Sequence, residues 1–196
     1  MKPALALIAI LLAAPALADD VTGVYGPMTL GRDRDRVTGT FDEARIGNGT
    51  EEAPQFTCRF LLAGKLRDGR VAIRAWHPGD EEVIEGTLAV TGDAATLRLE
   101  DSPPGCAMTS GLNANEDFRM PRDEAGAWSA VRMVRAKRAY FHAQPKEFKR
   151  AKAYLLRGDT VRVIETQRDW VRAEFPAART PVIGWLRTLD LEPPTR

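Results

Sequence analysis

The feature that most constrains this chain is a period-two alternation of apolar and polar residues, broken at short intervals by turn residues. Successive side chains of a strand point to opposite faces, so such a run buries one face and wets the other. In Phe56-Thr57-Cys58-Arg59-Phe60-Leu61-Leu62 the even positions are all apolar. This predicts a half-buried strand with Cys58 aimed at a core. Asp68-Gly69 is a hairpin dipeptide. Val71, Ile73 and Ala75 then alternate with Ala72, Arg74 and Trp76, and His77-Pro78-Gly79-Asp80 turns the chain again. Ile84, Gly86, Leu88 and Val90 repeat the pattern; Gly92-Asp93 leads to Leu97 and Leu99, and Pro103-Pro104-Gly105 ends that run. Short strands at this spacing predict an antiparallel meander closed into a small barrel or sandwich. With no long helical periodicity and no internal repeat, the whole chain reads as all-β.

Ahead of these strands stands a different kind of segment. Lys2 is followed by an uncharged apolar run from Ala4 to Ala14, then by Ala16-Leu17-Ala18 and Asp19-Asp20. A short basic start, a short apolar stretch and an A-x-A site are the parts of a secretory signal peptide. The run is shorter than the ~20 residues a spanning helix needs. Residues 1–18 are therefore expected to be cleaved, leaving a periplasmic or secreted chain with no membrane insertion. Removing them takes Lys2 and no acidic residue, so the 28 basic residues become 27 against 27 acidic ones. That neutral balance argues against a nucleic-acid partner, because such proteins carry a basic excess or face. The one basic run, Arg132 to Arg138, is short.

The two cysteines are Cys58 and Cys106. An exported chain with two cysteines invites one disulfide, which would tie the Phe56–Leu62 strand to the segment after the Pro-Pro-Gly turn. Free buried thiols and a redox pair are the alternatives, although C-x-x-C spacing is absent. Two cysteines and two distant histidines are too few for a metal site, and no cofactor is expected.

From Met108 to Glu124 the pattern lapses into Asn, Gly, Asp and Pro, and the later part reads as a linker or extended connection. Residues 19–125 form the first expected domain and 131–194 the second. The second begins afresh with Tyr140-Phe141-His142. It continues through Tyr154-Leu155-Leu156-x-Gly158-Asp159-x-Val161-x-Val163 and Asp169-Trp170-Val171-x-Ala173, and ends in Gly184-Trp185-Leu186 with Leu189-x-Leu191. The order and spacing of these four elements resemble the bacterial SH3-like (SH3b) family over the last third of the chain. The resemblance implies a small barrel that binds cell-wall peptide or glycan, or a protein segment. The stretch Pro176 to Pro181 departs from the family pattern, and the first domain resembles no known family.

Catalytic constellations are missing. A nucleophile needs a base and an orienting group beside it, but His77 and His142 fall in different expected domains and Cys58 lies on an apolar strand face. No G-x-S-x-G, H-E-x-x-H or phosphate loop is present. Glu81, Glu82 and Glu85 are carboxylates for glycoside chemistry on paper, yet adjacent strand residues point apart, so they read as a solvated turn. Asp33 and Asp35 have D-x-D spacing, but the interleaved arginines would repel calcium. Arg157-Gly158-Asp159 and Asn48-Gly49-Thr50 read as turns rather than as adhesion or glycosylation signals.

What remains is recognition. Val171, Ala173 and Phe175 take the core register, which sends Trp170 to the other face. Trp170, Tyr140, His142 and Trp185 are the candidates for lining a groove, with Trp170 and Trp185 also able simply to cover the ends of a small barrel. The chain is thus expected to be a non-catalytic binding or adaptor protein that contacts peptidoglycan or a periplasmic protein. The competing expectation is a secreted inhibitor of a wall hydrolase or peptidase, which would present Trp76 to Glu82 as a rigid loop.

Overall fold

The computed structural model describes residues 21–146, 152–176 and 180–195. The proposed signal peptide, residues 1–18, lies outside them, as does part of the 176–181 loop. The fold is all-β. The first unit runs β1 (Gly23–Tyr25), β2 (Met28–Asp33), β3 (Arg36–Arg45), β4 (Phe56–Arg67), β5 (Arg70–Trp76), β6 (Ile84–Thr91) and β7 (Ala94–Leu99), each antiparallel to the next. The helical turn α1 (Cys106–Thr109) follows, then β8 (Phe118–Pro121) and β9 (Glu124–Ala125).

The alternation does what strand geometry requires. Cys58, Phe60 and Leu62 of β4 point into one core with Val71, Ile73, Leu88, Leu97 and Leu99. Phe41 and Phe60 are direct cross-strand partners, and their rings stack 4.9 Å apart. The Asp68-Gly69 turn forms with both residues at positive φ, 49° and 76°, and joins the Arg67–Arg70 pair as a two-residue hairpin. Arg34-Asp35, in the segment weighed above for calcium, is also a two-residue turn, with Arg34 at φ 57°. The disulfide forms: Cys58 and Cys106 are bonded, which docks α1 against β4.

The stretch expected to be a linker or extended connection is extended and pairs at both edges of the sheet. β8 pairs with β7 at one edge of the sheet, and β9, two residues on, pairs with β1 at the other. The Asp123 amide donates to the Val24 carbonyl and the Arg122 amide to the Asp93 carbonyl. One continuous segment thus joins both edges and makes the curled sheet barrel-like. It lacks sequence periodicity because it changes partner midway and spends only a few residues on each.

The second unit contains β10 (Ala130–Met133), β11 (Arg138–Tyr140), β12 (Tyr154–Leu156), β13 (Thr160–Gln167), β14 (Trp170–Phe175), β15 (Val182–Arg187) and a 3-10 turn at Thr188–Asp190. Its main sheet has the order β10-β13-β14-β15, and β11 pairs with β12. Val134, Phe141, Leu155, Val161, Val163, Val171, Ala173 and Leu186 form its own core. In Arg157-Gly158-Asp159, Gly158 takes φ 93° and the Asp159 carboxylate accepts from the Leu156 amide, so the tripeptide is a turn between β12 and β13.

The two units share a third apolar cluster. Leu61, Ala63 and Trp76 on the outer face of the first sheet pack against Met133 of β10. The Trp128 indole N–H donates to the Leu30 carbonyl at 2.8 Å, and the Val131 amide donates to the Thr38 hydroxyl. Arg132 is buried beside this seam, where its guanidinium donates to the Glu192 carbonyl. Desolvation pulls its pKa down to about 10, against the opposing pull of Glu192.

Candidate binding surface

The candidate surface is built on the four strands β12, β11, β15 and β14. Tyr154 is the direct partner of Tyr140, and Trp170 is the direct partner of Arg187. His142 and Trp185 exchange both backbone hydrogen bonds, each 2.9 Å. Extending that antiparallel register by two residues sets Tyr140 opposite Arg187. A row therefore crosses the unit: Tyr154, Tyr140, Arg187, Trp170. Alternation explains which face it occupies. Leu155, Ala139, Leu186 and Val171 each neighbour a member of the row in sequence and are buried in the core, so the row itself points away from that core.

Each aromatic group in the row is braced. The Tyr140 and Tyr154 rings lie 5.6 Å apart. The Arg138 guanidinium sits 4.7 Å from the Tyr154 ring centre, and Arg187 sits 5.7 Å from that of Trp170. The His142 ring meets Trp170 edge to face at 4.9 Å. Tyr140, Trp170 and Trp185 are half-buried and Tyr154 is exposed. His142 is only 5 % exposed. It is therefore not a groove-lining residue as expected from sequence, because Trp170 lies against it; it supports Trp170 from behind, and its Nδ1 has no hydrogen-bond partner. Asp190, next to this cluster, has its carboxyl raised above the ordinary value by burial, opposed by Arg187, His142 and Arg135.

The sequence reading missed Tyr154, Arg138 and Arg187 as parts of the surface. The alternation around Leu155 carried a signal for Tyr154. The pairing of β11 with β12 across residues 141–153 carried none, since no turn dipeptide marks it.

Other candidate residues are not assembled into a site. Glu81 and Glu82 are exposed, and Glu85 pairs with Arg74 at 3.2 Å. His77 faces Asp80 across an exposed turn at 3.5 Å. Trp76, the first residue of the proposed inhibitory loop, is 2 % exposed and packs in the seam between units, so it cannot be presented to an enzyme. Among the described residues no group of three or more His, Cys, Asp or Glu side chains is placed to hold a metal ion. No helix among them is long and apolar enough to cross a membrane. No protein-family model, curated protein or solved structure matches the chain.

Proposed function

We propose that this is an exported, non-catalytic binding protein whose second unit acts as an SH3-like module and holds peptidoglycan on the Tyr154–Tyr140–Arg187–Trp170 row. The observation that carries the reading is the pairing of aromatic faces with guanidinium groups along that row. Rigid rings offer large contact area with little rotamer entropy to lose. Sugar rings and aliphatic stems of wall peptides present the matching apolar surface, and their carboxylates match Arg138 and Arg187, since guanidinium binds carboxylate in a planar fork. The buried disulfide is of the kind that persists in oxidising compartments, in keeping with export.

The test is co-sedimentation of the chain lacking residues 1–18 with purified sacculi at moderate salt. The expected result is that the protein pellets, that Trp170→Ala and Tyr154→Ala release it, and that both variants keep the wild-type far-UV spectrum. If the wild type stays in the supernatant, wall binding is wrong, and the surface is then to be tested by cross-linking to periplasmic proteins. If it pellets and neither substitution releases it, the row is not the contact.

A further inference from the structure

The outer face of the first sheet has two halves. One is covered by the second unit, through Thr38, Leu61 and Trp76. The other is open and carries Arg36, Lys65, Arg67, Arg70 and Arg74 around a cavity of about 560 Å³. Thr195 also lines it, and among the described residues no carboxylate does. Asp35 and Asp68 lie in the adjoining turns, exposed and outside the lining, and Glu85 pairs with Arg74.

The arrangement of these cations is costly to the fold. Arg36 is directly opposite Lys65, and Arg67 is directly opposite Arg70. Like charges in direct cross-strand register destabilise a sheet. Arg36, Lys65, Arg67 and Arg70 form no ion pair among the described residues that would offset this. The chain without residues 1–18 is neutral overall, so the cluster is a local concentration rather than a reflection of net charge. Its floor is made of the small residues Ala63 and Ala72, which leave the centre open to a ligand.

We infer that this cavity binds a ligand carrying at least two phosphate groups, free or as a lipid headgroup. Each opposed pair sets the Cβ atoms of two cationic side chains about 5 Å apart across neighbouring strands. A phosphate monoester brings up to two negative charges and three acceptor oxygens, which matches one such pair. Lys65 and Arg67 are two residues apart on β4, so the two pairs are offset by about 7 Å. The site is separate from the aromatic row and does not depend on it.

Calorimetric titration of the chain lacking residues 1–18 with tripolyphosphate tests the free form. Co-sedimentation with phosphatidylcholine vesicles, with and without cardiolipin, whose headgroup carries two phosphates, tests the headgroup form. Binding in either arm is expected, weakening as salt rises. The double substitution R67Q/R70Q should weaken it by roughly tenfold or more, the effect of losing charge-assisted hydrogen bonds, without lowering the melting temperature. R36Q/K65Q should act alike. R119Q, at an exposed arginine on β8, and W170A should leave it unchanged. Absence of binding in both arms overturns the inference, as does binding that survives both double substitutions. Binding only to tripolyphosphate assigns the free ligand, and binding only to anionic vesicles assigns the headgroup.

Discussion

Arg162, on β13 of the second unit, lies 4.2 Å from the centre of the Trp128 ring and donates to both carboxylate oxygens of Glu124 on β9 of the first unit, at 2.9 and 3.0 Å. It also reaches Glu174 on its own sheet at 3.3 Å. The Arg162 side chain is 11 % exposed and that of Glu124 is 52 % exposed. A desolvated cation held over an aromatic ring contributes about 0.5–2 kcal/mol, and an exposed pair contributes less than about 1 kcal/mol. Arg162→Met should therefore lower stability to urea by about 1–3 kcal/mol, because it leaves Glu124 and Glu174 without their partner. Glu124→Gln should cost less than about 1 kcal/mol. The double substitution should be less destabilising than the sum of the two; strict additivity would show that the contact couples nothing.

Gly31 on β2 is where the chain entering the second unit crosses the first. A Cβ placed there would stand 2.7 Å from the backbone of Ala130, which is held in register opposite Val163. Backbone pinned on both sides cannot give way cheaply. Gly31→Ala should cost about 1–3 kcal/mol by overpacking, read as a lower urea midpoint. A neutral result would mean that the crossing is loose.

The Cys58–Cys106 bond closes a sequence separation of 48 residues with both cysteines buried. In the loop-entropy account that closure is worth about 4 kcal/mol. Replacing both cysteines with alanine should lower the unfolding free energy by that order, and thiol titration of the untreated protein should find no reactive cysteine. A loss below about 1 kcal/mol would place the stability of the first unit in its apolar core alone.

Asp190 gives the pH dependence a sign. Burial raises its carboxyl above the ordinary 3.8, so the folded state holds the proton more tightly than the unfolded chain does. Its contribution is fully present below pH 3.8 and is lost as pH rises through the folded-state value. At pH 7 the ionised group is therefore a small burden, and Asp190→Asn should stabilise by up to about 0.5 kcal/mol, the range of partly exposed sites. At pH 3 the gain should vanish. A substitution that destabilises at pH 7 and not at pH 3 would show that the carboxylate is held by its arginine neighbours instead.

The sequence by itself determined the alternating strands between Phe56 and Leu99, the Asp68-Gly69 hairpin and the outward face of Trp170. Each follows from local rules: alternation sets which face is buried, and Asp-Gly accepts positive φ at both turn positions. Only the tertiary structure decided the rest. Phe118–Pro121 and Glu124–Ala125 join opposite edges of one sheet, and that relation exists only once the sheet has curled. His142 follows the outward register yet is buried, because Trp170, far along the chain, lies against it. Trp76 alternates like a solvent-facing residue and is buried because Met133 of the other unit covers it. The opposed cations were each visible as letters, but their opposition is a matter of register between strands. Period two specifies a face; which neighbour covers that face is settled by long-range packing that no local pattern encodes.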